Sequence, residues 1–387
     1  MTDKSFSARL SGPAGVIGEA AWDALANPDG RPDAYPFTRY AFLVALEESG
    51  SACAETGWRP VHLLLERDGR KVGLLPLYLK NHSQGEYVFD QGWADALERA
   101  GGRYYPKLQA SVPFTPVPGR KLLIAKGEDP AKTGRFLLAG AAAAAEELNV
   151  SSLHATFLTG AEWHLAGECG FLLRNDQQFH WENRGYDSFD AFLSDLTSAK
   201  RKNLKKERAK VAEQGVRFEW LTGRDITEAD WDDFFVCYRA TGAHKWGRPY
   251  LTREFFSRVG ETMGEQVLLV VAKKDGRTIA GALNFFGEGV LYGRNWGATA
   301  FVPFLHFEAC YYQAIDFAIA RGLTRVEAGA QGPHKLLRGY VPCSTYSAHF
   351  IVHEGLRHAV SDYLDHERTA VLEEMEALSA HVPFRKG

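Results

Sequence analysis

The 387-residue chain has five cysteines, Cys53, Cys169, Cys237, Cys310 and Cys343, scattered singly with no C-x-x-C pair. An odd number at such spacings makes neither a disulfide framework nor a zinc site and suits a reducing compartment. His62, His82 and His244 have no neighbours at ligand spacing, so no metal is expected. No stretch approaches the roughly 20 apolar residues of a membrane span, and MTDKSFSARLSG lacks the apolar core of a signal peptide. The chain reads as cytoplasmic, with peripheral contact at the inner membrane left open. Net charge is scarce as well: 45 Lys and Arg against 48 Asp and Glu leave -3. That is too little to draw DNA or an anionic membrane to the whole surface. Any such partner has to use a local patch.

What the chain has is a run of ordered elements from residue 265 to 340. QVLLVVAKKDGRTIAGALNFF predicts two apolar strands joined at Asp275-Gly276, a strong hairpin signal. LYGRNWGAT predicts a third strand. LHFEACYYQAIDFAIARGL has apolar residues at helical spacing and closes at Gly322, and TRVEAG returns as a strand. A second copy precedes it. VHLLLERDGRKVGLLPLYLK repeats the hairpin around Asp68-Gly69-Arg70, PAKTGRFLLAGAAAAAEELNV supplies an Ala-rich crossover helix, and SSLHATFL the following strand. FTRYAF and LTREFF stand before the two hairpins as similar helix starts, with Thr38 and Thr252 as expected caps.

Length and a hydrophobic content of 45% suit two cores. The halves are expected at 1–180 and 181–387, with the change in QFHWENRGYDSFDAFL. The fold class is α/β in the α+β sense: two similar domains, each a mixed, mostly antiparallel sheet flanked by helices.

Polar clusters stand out on this apolar scaffold. LTSAKRKNLKKERAKVAEQG predicts a helix over about 196–214 carrying Lys200, Arg201, Lys202, Lys205, Lys206, Arg208 and Lys210, with Glu207 the only acid in that run. It is either a solvated surface helix or a contact for phosphates of a thioester cofactor, an acidic carrier, a tRNA acceptor arm or anionic lipid headgroups. EAGAQGPHKLLRGY packs Glu327, Gln331, His334, Lys335, Arg338 and Tyr340 into fourteen residues at a strand end, where loops commonly build sites. Tyr104, Tyr105, Lys107 and Gln109 form a smaller group suited to an acceptor. His180 and Trp181 stand at the boundary between the halves.

An antiparallel hairpin, a strand, a crossover helix and a parallel strand resemble the core of the GNAT N-acyltransferases. The phrases YPFTRYAFL, GEYVFDQGWADAL, YYPKLQASVPFTPVPGR, QFHWENRGY, SAKRKNLKKER, KWGRPYLTR, LHFEACYYQAI and EAGAQGPHKLLRGY resemble the FemAB-like family of predicted N-acyltransferases from about Tyr35 to Arg385. The resemblance implies tandem GNAT-like domains and transfer of an acyl group to an amine. The donor would be a long-chain acyl-CoA or acyl carrier protein acting as co-substrate, with no permanently bound cofactor. Some family members are bacterial ceramide synthases, so a sphingoid base or other amino lipid is the expected acceptor. The alternatives are aminoacyl transfer from tRNA to a peptidoglycan precursor, and a non-catalytic recognition module.

In GNAT enzymes a [Q/R]-x-x-G-x-[G/A] loop holds pyrophosphate on backbone N–H groups. Arg294, Gly297 and Thr299 match it in part, and with Lys202 and Lys206 they are the expected cofactor contacts. Amine attack needs a proton acceptor and oxyanion donors. His306, Glu308 and Glu327 are the expected catalytic groups. Tyr105, Lys107, His180, Trp181, Arg294, Trp296, Gln331, His334, Lys335, Arg338 and Tyr340 are the expected substrate contacts.

Overall fold

The computed structural model describes residues 6–245, 249–329 and 332–385. The chain folds as two units, Met1–Asp176 with Ser344–Glu373 and Gln177–Cys343 with Glu374–Gly387. Unit 1 holds β1 (Phe6–Leu10), β2 (Trp58–Pro60), β3 (Leu63–Arg67), β4 (Arg70–Leu75), β5 (Tyr78–Lys80), β6 (Lys107–Ala110), β7 (Leu123–Ile124) and β8 (Ser152–Leu158). β9 (Leu172–Glu182) carries the chain into unit 2, with β10 (Arg217–Leu221), β11 (Val267–Lys274), β12 (Arg277–Gly287), β13 (Val290–Ala298) and β14 (Arg325–Glu327). β15 (Val341–Ile351) returns it to unit 1. The contiguous division at 180/181 therefore differs from the observed one, because β15 pairs with β8 and takes Ser344–Glu373 into the first unit.

Strand order is β1-β3-β4-β7 and β15-β8-β6-β5-β2 in unit 1, and β10-β11-β12-β13-β14-β9 in unit 2. Pairing within each unit is antiparallel except for one parallel pair, β6–β8 or β13–β14. This is the mixed sheet expected of the fold class.

The duplication is visible in backbone detail. Asp68 and Gly69 turn with φ 50 and 77, Asp275 and Gly276 with φ 51 and 73, closing two-residue hairpins at Arg67–Arg70 and Lys274–Arg277. Such turns require positive φ at both positions, which Asp-Gly tolerates. Each hairpin then slips register at the same place. One extra residue, Val72 or Ile279, lies four positions past the turn aspartate.

The crossover helices differ. Pro130–Glu147 is regular, capped by Asp129 accepting from Ala131 N (2.9 Å) and Lys132 N (3.0 Å). Its alanines at 141 and 145 are buried and let the helix lie close to the sheet. In unit 2 the chain enters at Phe304 with φ 67, makes one α turn at Leu305–Phe307, widens to a π-helix over Glu308–Tyr312, and resumes as Gln313–Ala320. Thr252 caps its helix by accepting from Phe255 N at 3.4 Å. Thr38 does not: it ends a 3-10 turn, and Asp23 Oδ1 takes the Tyr40 N–H at 2.9 Å.

Below the β6–β8 pair, unit 1 buries a charged network. The Lys107 ammonium donates to Ser83 Oγ (2.8 Å), Glu86 Oε2 (2.7 Å) and Asp90 Oδ2, so all three hydrogens are occupied. Burial pushes its pKa down, but Glu86 and Asp90 outweigh burial and hold it above its ordinary value. Tyr104 donates to Asp90 Oδ2 at 2.6 Å, and its oxygen lies 3.1 Å from His154 Nε2. His154 Nδ1 meets His349 Nδ1 at 2.7 Å across β8 and β15. Burial depresses His154 to about 3 and His349 well below its ordinary value, so both rings are neutral. Lys107 therefore offers nothing to an acceptor, contrary to expectation, and the half-buried Tyr105 bonds Ser83 Oγ at 2.7 Å. The alternating sequence could not reveal that the partners lie on Ser83–Asp90.

Lys107→Met should cost about 3–5 kcal/mol in denaturant unfolding, because it leaves two carboxylates buried without their cation. A loss below about 1 kcal/mol would contradict this assignment. The histidines predict an acid limb. Both titrate near 6.5 when unfolded; folding brings His154 down to about 3 and His349 well below its ordinary value, so their stabilisation is full above pH 6.5 and is lost as pH falls. Each contributes up to about 1.4 kcal/mol per pH unit. Glu86, raised by burial to about 7, acts in the opposite sense between pH 7 and 4.5 and offsets one of them. Replacing both histidines by glutamine should flatten the decline in unfolding midpoint between pH 6.5 and 4.

Candidate functional site

In unit 2 the parallel pair is short: Val290–Arg325, Leu291–Val326 and Tyr292–Glu327, after which β14 ends while β13 continues against β12 alone. The parting follows from one extra residue. Asn284 pairs with Gly293 and Leu283 with Asn295, leaving Arg294 as a bulge. Bulges bend a strand and re-aim its side chains. Leu291 and Val326 are fully buried below this point and anchor the pair in the core. Each such side chain contributes roughly 1.5–3 kcal/mol.

A polar row crosses three strands where the pair parts: Tyr292 on β13, Glu327 on β14 and His180 on β9. Glu327 is buried and ion-paired to Arg325 at 2.9 Å, with His180 Nε2 at 3.8 Å. Burial, then Arg325 and Lys335, lower His180 to about 3, so it is neutral. The loop after β14 folds back as the 3-10 turn Pro333–Arg338. There Lys335 is 2% exposed and donates to Gly329 O at 2.7 Å. It has no carboxylate partner among the described residues, and burial lowers its pKa to about 7.

Beside it stands an aromatic group. Tyr311 OH and His334 Nε2 are 2.9 Å apart. The His306 ring lies 5.3 Å from both Trp296 and Tyr311 and 6.3 Å from His334. The Arg338 guanidinium covers Phe307 at 3.4 Å. Tyr340 is fully buried, and its hydroxyl has no hydrogen-bond partner among the described residues. The structure thus brings together His306, Trp296, His334, Lys335, Arg338 and Tyr340 from three separate segments.

Other expected residues lie elsewhere. Glu308 is turned to the basic helix, Ser198–Glu213, where its Oε1 accepts from Arg208 (2.9 Å) and Gln313 (2.8 Å). Burial raises its pKa, and Arg208 offsets this only in part. It braces the π segment instead of facing the parted strands. Trp181 is fully buried against Phe192 in the apolar core. Lys202 and Lys206 are exposed. Gln331 lies outside the described residues.

The expected pyrophosphate loop is closed. A Cβ at Gly297 would meet the backbone carbon of Cys237 at 2.2 Å, because the helix Glu228–Lys245 packs directly on that strand. Ala298 N donates to Thr241 Oγ1 (3.0 Å) and Thr299 N to Ile279 O (2.9 Å). Gly297 is thus required for packing, and the neighbouring N–H groups are already bonded.

Sequence reasoning missed Tyr292, Tyr311 and the paired role of Glu207. Glu207 accepts two bonds from Arg338 (2.8 and 2.9 Å) and one from Tyr312. Its isolation in a basic run was the available signal. No described residues form a cluster of three or more His, Cys, Asp or Glu placed to hold a metal. No described helix is long and apolar enough to cross a membrane.

Comparison with known proteins bears on the fold. A crystal structure of FemX superposes with a TM-score of 0.53 at 12% identity, covering 89% of this chain and 98% of that one. The structure of L-PGS from Bacillus licheniformis gives 0.50 at 10% identity, covering 88% and 96%. Likeness at this identity concerns the fold. Among curated proteins no sequence match is found. The FemAB-like model, described as peptidoglycan biosynthesis/recognition, matches residues 14–386. The chain belongs to the FemAB-like family.

Proposed function

We propose that unit 2 is an N-acyltransferase in which an amine attacks the carbonyl of a carrier-bound acyl group where β13 and β14 part. The observation that carries this reading is Lys335: a buried lysine with a pKa of about 7, without a carboxylate among the described residues, bonded to Gly329, which abuts Gly293 of the bulged strand. In its protonated form it can donate to an oxyanion. His306, held among Trp296, Tyr311 and His334, is placed to take the proton of the attacking amine. The C–N bond forms and the bond from the acyl carbon to the carrier sulfur or oxygen breaks. The carrier leaves with its electron pair and receives a proton.

The finer proposal is a fatty-acyl thioester as donor and a sphingoid base or other amino lipid as acceptor. The aromatic group of Trp296, Phe307 and Tyr311 supports an apolar substrate. A second reading, aminoacyl transfer from tRNA to a peptidoglycan precursor, is favoured by one observation. The N–H groups of Ala298 and Thr299 are already bonded, which removes the usual grip on CoA pyrophosphate. Mass spectrometry of purified protein with long-chain acyl-CoA or acyl carrier protein and a panel of amines separates the two. Amide formation with the sphingoid base is expected. Product only with charged tRNA, abolished by ribonuclease, would replace this reading with the second.

Lys335→Met and His306→Gln should each lower kcat about 10²-fold or more. The wild type should lose kcat/KM as pH rises through about 7, where Lys335 loses its proton. Lys335→Arg, permanently charged, should abolish that alkaline limb. An unchanged limb in the arginine variant would remove Lys335 from the mechanism.

A further inference from the structure

We infer that unit 2 docks on an anionic lipid surface through the basic helix Ser198–Glu213 together with Phe301 and Leu337. The inference deepens the acyl-transfer reading by supplying a surface from which an amino lipid is drawn. It rests on that reading for its purpose but not for its test.

The helix has two faces with different work. Leu204 and Val211 are buried, Arg208 bonds Glu308 and Asp316 at 2.9 and 2.7 Å, and Glu207 bonds Arg338 and Tyr312. The charges of Arg208 and Glu207 are thus paired within unit 2. Lys202, Lys206 and Lys210, spaced four residues apart, form a ridge on the other side, and all three are exposed. Lys205 beside them has an exposed tie to Asp190 at 3.1 Å.

A second observation is independent of charge. Phe301 is 92% exposed, the highest value among the large hydrophobic residues of the described chain. Its neighbour Val302 is buried in the cluster that contains Val211 of the basic helix, so the segment that carries Phe301 is anchored in the same core as that helix. Leu337, 45% exposed, precedes Arg338, whose guanidinium is bonded to Glu207 one turn earlier. Two exposed apolar side chains therefore stand on segments tied to the same helix that carries the exposed lysine ridge.

A bilayer interface matches this combination. Headgroup phosphates attract each lysine, while phenylalanine and leucine enter the boundary of the acyl region. RNA phosphates would satisfy the lysines but give Leu337 no partner, so the lipid surface is the occupant favoured.

The test is co-sedimentation of the full chain with phosphatidylcholine vesicles, with and without phosphatidylglycerol, scored without turnover. Binding is expected only with phosphatidylglycerol and should weaken as salt is raised. The triple variant Lys202→Glu, Lys206→Glu, Lys210→Glu should bind at least about tenfold more weakly. Phe301→Ser should weaken binding several-fold while turning over a water-soluble donor and acceptor at the wild-type rate. Circular dichroism of each variant should match the wild type. If the wild type ignores phosphatidylglycerol vesicles, or both variants bind them as the wild type does, the inference is overturned. It is also overturned if the lysines govern retention of tRNA but not of vesicles. Vesicle binding without acyl transfer would discard the catalytic reading alone, and transfer without vesicle binding would discard the docking surface alone.

Discussion

One extra residue in β13, Arg294, sets the geometry on which unit 2 depends. Below the bulge, β13 and β14 pair in parallel with apolar side chains beneath them. Above it the two strands are no longer bonded to each other. Two backbones that part leave room for groups from the loop after β14, and Lys335, His334 and Tyr340 come from that loop or its end. The π segment at Glu308–Tyr312 belongs to the same constraint, since its wider turn presents Tyr311 to His334 while Glu308 faces the basic helix. Such segments store geometry a regular helix does not offer.

The duplicated units treat corresponding positions differently. In each, a polar row crosses the parallel pair and the next strand: Gln109, His154 and His349 in unit 1, Tyr292, Glu327 and His180 in unit 2. Both rows contain a histidine kept neutral by burial. The nearby lysines differ in what surrounds them. Two carboxylates hold Lys107 charged, whereas Lys335 has a backbone carbonyl and, among the described residues, no carboxylate, so desolvation lowers its pKa to about 7. The contrast between the two lysines comes from their partners rather than from residue type.

The basic helix joins these themes because one element serves opposite ends. Arg208 and Glu207 complete ion pairs that fix the π segment and the loop after β14, and the lysines turn outward. Net charge near zero for the chain conceals this, since it averages over both faces.

Much of the fold was legible in the residue pattern. Asp-Gly turns, the Ala-rich helix behind Asp129, glycine at 322 and alternating apolar strands are local features with short-range causes, and they determined the elements, their order and the duplication. The clustering of Glu327, His334, Lys335, Arg338 and Tyr340 in one segment was legible for the same reason. What the sequence could not decide was partnership. Lys107 and Lys335 read alike until tertiary structure assigned one two carboxylates and the other none. Gly297 matched a phosphate-loop glycine until the helix Glu228–Lys245 was found packed on it, and Glu308 read as a partner of His306 until the basic helix was found to hold it through Arg208. Propensity acts within a few residues, whereas ion pairing joins side chains 17 positions apart at Lys107 and 100 apart at Arg208, and desolvation depends on everything packed around them. Sequence by itself therefore determined the scaffold, and only the tertiary structure decided which of its charged groups are neutralised and which remain to act.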